Sequence, residues 1–179
     1  MEYPWYELIK DSDEISQGDI LYHCPVPFLN SSLDITSGAI IEAEMKYIDG
    51  IIMTQACDLA NGKVQNVVLC TVDNVSNFKL QMQNQNKNAK EIQNQVKHII
   101  NGNQPAFHII NMYESKELKQ EHLLISFKDL FSIPVSVAKQ VAKTNKNRLR
   151  LCPPYREHLS QAFARYFMRV GLPNNIQDL

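Results

Sequence analysis

The sequence predicts one α+β domain built on a small barrel or curled β-sheet. The chain has 179 residues, which is the length of a single domain. Short apolar or alternating runs, separated by Gly, Asn, Asp and Pro, are typical of strands. One long amphipathic pattern near the C-terminus is typical of a helix. Short strands outnumber the helices, of which about three are expected, so the predicted class is α+β.

Composition excludes several classes of function. The formal net charge is −1, which argues against a protein that binds nucleic acid mainly through a basic excess. No apolar run reaches the length needed to span a bilayer, and Met1–Tyr6 lacks the basic and apolar regions of a secretory signal. A cytoplasmic protein with no membrane contact is therefore expected. The four cysteines lack C-x-x-C spacing and are expected to be reduced thiols: Cys24, Cys57, Cys70 and Cys152.

The N-terminal half of the predicted barrel covers residues 18–75, after a leader over 1–17. A first strand is expected over 19–24, ended by Pro25 and Pro27 because proline cannot donate to a sheet ladder. Residues 28–38 have the composition of a loop.

The next runs predict three strands separated by tight turns. Residues 39–48 alternate with period two, which predicts a half-buried strand whose apolar side carries Ile41, Ala43, Met45 and Tyr47. Asp49-Gly50 predicts a tight turn. Residues 51–54 form a continuous apolar run, expected to be buried on both faces. A turn at Asn61-Gly62 and a strand over 64–72 follow.

A polar insertion is expected over residues 78–104. Half of the residues between Gln81 and Gln104, 12 of 24, are Asn or Gln, and the start of this tract is expected to be flexible. A solvated helix is predicted over 91–100, with one apolar face formed by Ile92, Val96, Ile99 and Ile100. Asn101-Gly102 would end that helix.

The second half of the barrel is expected over residues 105–152. Its predicted elements are strands at 105–113, 121–127 and 148–152 and a short helix or irregular segment at 135–143.

The last predicted element is a long helix over 154–170. Its apolar stripe comprises Leu159, Ala162, Phe163, Tyr166, Phe167 and Val170. A basic face, which would suit phosphate or carboxylate, comprises His158, Gln161, Arg165 and Arg169, with Arg148, Arg150 and Arg156 nearby. The alternative is a solvated face whose late arginines favour the helix C-terminus.

Residues 54–59 follow the most apolar strand, a position that suits a functional loop. One interpretation is a Cys57 nucleophile activated by a histidine, with candidates His23, His98, His108, His122 and His158. A second is a zinc site using His23, Cys24, Cys57 and Asp58. A third is structural, with Asp58 and Asn61 bonding the turn backbone and Cys57 pointing inward. The remaining interpretation is recognition of a ligand or partner through Gln55 and Asp58.

Two resemblances add to this interpretation. The order Gly18-Asp19-Ile20, Ile51–Thr54, Asn61-Gly62-Lys63 and Val67–Cys70 resembles the N-terminal half of the MazF/PemK toxins. This resemblance implies a small SH3-like barrel, RNA cleavage and pairing with an antitoxin. An arginine that such nucleases place before the apolar strand is missing here, since the chain reads Tyr47–Gly50, and Thr71 is out of register with their catalytic threonine.

The second resemblance is to uncharacterised small bacterial proteins. It is carried by Thr-Gln-x-Cys-Asp-Leu at 54–59 and Pro-Tyr-Arg-Glu-His-Leu at 154–159. This resemblance implies no particular activity.

The sequence thus leads to one main functional hypothesis, a cytoplasmic SH3-like-barrel module that binds a ligand or partner without ribonuclease chemistry. A bacterial toxin–antitoxin or phage-defence setting is expected, with a protein partner or a second copy, nucleic acid through the basic helix as a further candidate, and no cofactor or metal. The candidate site comprises Thr54, Gln55, Cys57, Asp58, Tyr155, Arg156, His158, Arg165 and Arg169. The alternatives are an endoribonuclease toxin, a hydrolase using Cys57 and a histidine, and a structural subunit.

Overall fold

The computed structural model of the chain describes residues 3–29 and 44–168. The strands are β1 Tyr6–Lys10, β2 Ile20–Phe28, β3 Glu44–Ile52, β4 Asn66–Asn74, β5 Phe107–Ile110, β6 Tyr113–Glu114, β7 Lys119–Gln120, β8 Leu123–Pro134 and β9 Asn147–Leu151. The helices are α1 Ala56–Ala60, α2 Val75–Asn84, α3 Ala89–Ile100, α4 Val135–Thr144 and α5 Tyr155–Phe167.

The main sheet is antiparallel and has five strands in the order β2-β3-β4-β8-β5. Two antiparallel pairs, β1-β9 and β6-β7, form separate two-stranded sheets. A bridge between Asp19 and Arg150, with a hydrogen bond from the Leu151 amide to the Gly18 carbonyl at 2.9 Å, joins β9 to the chain entering β2. The α+β class is confirmed, whereas the described strands do not close into a barrel.

The sheet is buried on both faces because neighbouring residues of β3 enter different cores. Ile51 belongs to a cluster covered by α5 and the β1-β9 pair. Ile52 belongs to a second cluster covered by α4. A third, smaller cluster seats α2 and α3 against β5 and β8. The predicted two-faced burial of this run is confirmed for residues 51–53.

Strand β2 is longer than the sequence predicted, and the expectation that Pro25 and Pro27 end it is wrong. Both prolines pair with β3, opposite Tyr47 and Met45. Because the two residues are two apart in a strand, their missing N–H groups lie on the same side of β2. The strand is outermost in the sheet, so that side has no neighbouring strand and no ladder bond is lost.

The predicted turn at Asp49-Gly50 is also wrong, since β3 runs straight through it. The Asp49 carboxylate accepts a hydrogen bond from the His23 amide at 2.9 Å, at a bulge where His23 has φ +58°. Gly50 lies where a Cβ would come within 3.3 Å of the Cys70 carbonyl oxygen. Asp49-Gly50 therefore allows β3 to lie close to its neighbouring strands instead of forming a turn.

The half-buried strand predicted over 39–48 differs in its burial. Residues 39–43 lie outside the described residues, as does most of the predicted 28–38 loop. In the described part, Met45 is 51% and Tyr47 68% exposed. The alternation of this run therefore does not mark a buried face, and the sheet core starts further along β3, at Gly50.

Two polar regions of the sequence are more ordered than expected. The predicted leader contains β1, which pairs with β9 from Tyr6 opposite Leu151 to Lys10 opposite Asn147. The Asn/Gln-rich tract forms α2 and α3, whereas one helix and a flexible start were predicted. Asn88 and Glu91 form a reciprocal capping box that begins α3. Ile92 and Ile99 are buried as predicted, while Ile100 is exposed.

The C-terminal elements agree with the predictions more closely. The predicted segments at 135–143 and 148–152 correspond to α4 and β9, and the predicted strand at 121–127 corresponds to the first half of the longer β8. The predicted 154–170 helix is α5, with residues 169 and 170 outside the described residues. Five helices are described where about three were expected. None of the described helices has the length and apolarity needed to cross a membrane.

Candidate functional site

The segment Thr54–Asn61 is held rigidly at the end of β3. The Thr54 hydroxyl accepts a hydrogen bond from the Val68 amide at 2.7 Å. The Asn61 side-chain amide donates to the Cys57 carbonyl at 2.6 Å, and the Lys63 amide donates to the Asp58 carbonyl at 2.9 Å. The predicted 54–59 loop is therefore a fixed helical turn, and the structural role proposed for Asn61 is confirmed.

Cys57 is exposed on this turn, so the inward orientation expected from the structural interpretation is wrong. Its sulfur lies among hydrogen-bond acceptors. The Gln55 side-chain oxygen is 3.6 Å away and an Asp58 carboxylate oxygen is 3.8 Å away. A cysteine nucleophile needs a nearby cation or imidazole. The hydrogen-bonding partners of Cys57 within the described residues are of neither kind, so the hydrolase alternative has no support in this geometry.

Two of the candidate histidines contact each other instead. His108 on β5 and His158 on α5 have ring centroids 5.5 Å apart, edge to face, and His108 also stacks on Phe127. Burial, together with the neighbouring His158, lowers the pKa of His108 to about 4. His108 is therefore neutral near pH 7.

The proposed zinc ligands do not come together in the described parts of the chain, where three or more metal-ligating side chains nowhere form a group. Cys24 is buried, and its thiol donates to the Leu21 carbonyl at 3.8 Å. Burial raises the pKa of this thiol to about 12. Cys24 thus behaves as a core residue.

Gln17 connects the 54–61 segment to α5. Its side-chain amide donates to the Met53 carbonyl at 3.1 Å and to the Ser160 hydroxyl at 3.0 Å. Arg156 lies one turn before Ser160 on the same flank of α5, and the Ser160 hydroxyl donates to the Arg156 carbonyl at 3.0 Å. The structure therefore brings one flank of α5 towards the start of the segment.

The beginning of α5 is fixed by aromatic stacking. Tyr155 stacks on Trp5 with ring centroids 3.7 Å apart and 9° between planes. The Arg156 guanidinium pairs with the adjacent Glu157 at 2.6 Å. Tyr155 thus has a packing role, and the charge of Arg156 is partly neutralised.

The rest of the predicted basic face lies on the other flank of α5. At 100° per residue, His158, Gln161 and Arg165 lie roughly 100–160° away from Ser160. His158 contacts β5, and the Arg165 guanidinium lies near Gly102, beyond the end of α3. These contacts do not link His158 or Arg165 to the 54–58 loop, and their joint site with that loop stays a prediction. Arg169 lies outside the described residues.

Arg148 and Arg150 share one buried acid as their ion-pair partner, and Arg148 is itself fully buried. Both guanidinium groups bind the fully buried carboxylate of Asp19, Arg148 at 3.2 Å and Arg150 at 2.5 Å. Arg148 also donates to the carbonyls of Ser12 and Glu14. Sequence reasoning missed this network, although its signal was present. Two arginines at i and i+2 of a strand lie on one face and need a common acid there.

A cleft of about 490 Å³ lies between α1 and α4, and we call it the α1–α4 cleft. Its lining includes Ala56, Leu59 and Ala60 of α1, Val135 and Lys139 of α4, and Arg150 of β9. The side chains of Gln55, Cys57 and Asp58 are outside it. The side of the turn that lines the cleft is therefore apolar, whereas the side outside the cleft carries the polar side chains.

A second cleft, of about 410 Å³, lies beside α2 and contains Thr71. Its lining includes Phe78, Phe107 and the carboxylates of Asp49, Asp73 and Asp129, with no lysine or arginine from the described residues. A negative cleft repels RNA phosphates. This environment does not favour Thr71 as a ribonuclease residue.

No protein-family model and no curated protein sequence matches this chain.

Proposed function

We propose that this protein is a binding module that recognises a partner protein through the exposed side of the 54–61 segment. The surface consists of Gln55, Cys57 and Asp58, extended towards Arg156 by the contact that Gln17 makes with α5. No covalent chemistry is assigned to Cys57. The partner is a different protein or a second copy of this chain.

The observation that carries this proposal is the rigidity of an exposed polar turn. Thr54 and Asn61 use their side chains to fix the backbone on either side of it. Gln55 and Cys57 are nevertheless exposed. A side chain held on a fixed backbone loses less conformational entropy on association, which favours recognition.

The same proposal has two further parts. The fold follows a MazF/PemK-like barrel plan, and the protein acts in a toxin–antitoxin or phage-defence setting in the bacterial cytoplasm. One contact supports this plan. The bridge between Asp19 and Arg150 holds β9 against the chain entering β2, so the β1-β9 pair curls onto the edge strand β2. The endoribonuclease alternative has less support. The arginine that such nucleases place before the apolar strand is missing, and Arg148 does not replace it, because it is fully buried and bound to Asp19.

Expression in a bacterial host separates the two functions. We expect normal growth and intact RNA, both for the protein and for Cys57→Ala and Arg165→Ala variants. Growth arrest with RNA cleavage by the unaltered protein would overturn the binding module in favour of the nuclease.

Photo-crosslinking from Cys57 tests the surface directly. A benzophenone maleimide is attached to Cys57 in a Cys152→Ser variant, whose other two cysteines are buried. The matched control carries Cys57→Ser and Cys152→Ser with the probe at Gln85→Cys, an exposed position at the end of α2.

We expect a defined crosslinked species from position 57 that is missing from the control. Adding Gln55→Ala and Asp58→Ala should abolish it. The same products from both positions, or products unaffected by those two substitutions, would refute the assigned surface.

A further inference from the structure

We propose that the α1–α4 cleft binds a small organic anion, with a carboxylate or phosphate group held by Arg150 and Lys139. This site goes beyond the partner surface, because the side chains assigned to the partner lie outside the cleft. Its volume of about 490 Å³ lies within the roughly 300–1,000 Å³ typical of small-molecule sites.

Arg150 is oriented before any ligand arrives. Its Nε donates to one oxygen of Asp19 at 2.5 Å, and its Nη2 donates to the other at 3.0 Å. Asp19 is itself fixed by Arg148 and by the Ser16 amide at 3.1 Å. A guanidinium held at two of its nitrogens cannot rotate, so it loses little entropy on binding.

The third nitrogen of Arg150 carries the proposed contact. Within the described residues, Nη1 makes no hydrogen bond, whereas Nε and Nη2 are both engaged. Arg150 lines the cleft and its side chain is 21% exposed. Two N–H donors of a fixed cation are thus left for an anionic oxygen in the cleft.

The charge around the cleft favours an anion. Lys139 adds a second exposed cation from α4. Glu14 also lines the cleft and Asp19 lies behind Arg150. Within the lining itself, Lys139 and Arg150 against Glu14 leave one positive charge in excess. Asp19 is balanced by Arg148, and Glu7, opposite Arg150 in the β1-β9 pairing, lies outside the lining.

The apolar residues of the lining determine what the rest of the ligand must be. Ala56, Leu59 and Ala60 of α1, with Val64 and Val135, give the cleft an apolar side. An inorganic ion would leave that wall uncovered, whereas a carboxylate or phosphate ester with an apolar body would cover it. The ligand class is therefore a compact amphiphilic anion.

A matched set of probes tests the proposal on the purified full-length protein. Phenylacetate and phenyl phosphate carry the two head groups, and phenylacetamide is the neutral analogue. Saturation-transfer NMR detects binding and isothermal titration gives the affinity. We expect both anions, or one of them, to bind more tightly than the amide by at least about tenfold, the factor expected for loss of a charge-assisted hydrogen bond.

Two variants place the ligand in the cleft without disturbing the Asp19 network. Lys139→Gln should weaken anion binding about tenfold, and Ala60→Phe should block it by filling the apolar side. Lys143→Gln, one turn further along α4 and outside the lining, is the matched control and should leave affinity unchanged.

The preferred head group identifies the source of the ligand. Tighter binding of phenyl phosphate points to phosphate esters, and tighter binding of phenylacetate points to carboxylic acids. Equal affinity of the amide and the acids, or an affinity that neither Lys139→Gln nor Ala60→Phe changes, would overturn the proposal. Because Lys139 and Ala60 are not among the residues assigned to the partner surface, and Gln55, Cys57 and Asp58 lie outside the cleft, this outcome is independent of crosslinking at Cys57.

Discussion

Asp19 and Arg148 are both completely buried and lie 3.2 Å apart. Burying two charges is costly, and they are tolerated only where their other polar atoms are also bonded. Arg148 meets that condition by donating to the Ser12, Glu14 and Ala142 carbonyls, and Asp19 by accepting from Arg150 and the Ser16 amide. The pair therefore fastens residues 12–19 to β9.

Arg148→Met should destabilise the fold strongly. The substitution keeps an unbranched apolar side chain but leaves the Ser12 and Ala142 carbonyl oxygens and part of a buried carboxylate without a donor, while the Glu14 carbonyl keeps Arg150. We expect a loss of about 3–5 kcal/mol in the free energy of unfolding, measured by urea denaturation.

The control for Arg148 is Lys10→Met. Lys10 pairs with Glu117 at 2.6 Å, but their side chains are 57% and 47% exposed. This pair should contribute less than about 1 kcal/mol. Similar losses for the two variants would contradict the structural role given to Arg148.

Gly50→Ala tests the passage of β3 through the predicted turn. The added Cβ would lie 3.3 Å from both the Cys70 carbonyl oxygen and the Leu69 Cβ, which belong to the neighbouring strand. Overpacking of this kind should cost about 1–3 kcal/mol in urea denaturation.

Gly62→Asn is the comparison for Gly50. Gly62 has φ +61° and no atom within 4 Å of an added Cβ, and asparagine tolerates that conformation. Its effect on stability should be clearly smaller. An equally mild effect of Gly50→Ala would mean that β4 does not approach Gly50 this closely.

The sequence correctly predicted the elements in which the spacing of the apolar residues matches the spacing of the buried residues. The apolar run at 51–53 is one example, and most of the α5 stripe is another: Leu159 is buried and Ala162, Phe163 and Tyr166 pack against the same core. The stripe was wrong at Phe167, which is 53% exposed, and Val170 lies outside the described residues. Pro25, Pro27 and Gly50 misled the prediction. Their effect depends on whether a strand lies beside them, and that is decided by tertiary pairing rather than by local sequence.

The candidate site was predictable only in part. The sequence correctly indicated that polar residues are displayed at the end of the buried strand β3, where Gln55 and Cys57 are exposed. It could not indicate that Gln17 joins this position to Ser160, 143 residues further on. The helical wheel placed His158, Gln161 and Arg165 together correctly, but the flank they occupy depends on how α5 lies across the sheet.

The four cysteines should differ sharply in reactivity. Cys57 is exposed and Cys152 is intermediate, whereas Cys24 and Cys70 are buried. Burial raises the pKa of Cys24 and of Cys70 to about 12, which keeps both as thiols at neutral pH. We expect one fast and one slower thiol in the folded protein with a chromogenic disulfide reagent, and all four after denaturation.

Cys57→Ser assigns the phases of that reaction. It should remove the fast phase and leave the slower one, while Cys24→Ala should change neither. Rapid modification of Cys24 or Cys70 in the folded protein would contradict their placement in the sheet core.

His108 should make the fold less stable as pH falls. Burial, assisted by His158, lowers its pKa to about 4 from an ordinary value of 6.5. Between these values the unfolded chain binds a proton that the folded protein does not, so protonation favours unfolding. The stabilisation that results from keeping His108 neutral is fully present above pH 6.5 and decreases as the pH falls towards 4. It amounts to at most about 3 kcal/mol in the free energy of unfolding.

The comparison of His108→Phe with the unaltered protein isolates this contribution, because the carboxylates titrate equally in both. Phenylalanine keeps a ring against Phe127, which His108 stacks on, and cannot be protonated. The unfolding free energy from urea denaturation at pH 7.5, 5.5 and 4.5 should fall less steeply for the variant. His98→Gln, at an exposed position on α3, should follow the unaltered protein. If the unfolding free energy of His108→Phe fell as steeply with pH as that of the unaltered protein, the imidazole of His108 would have to be accessible to solvent and protonated near its ordinary pKa.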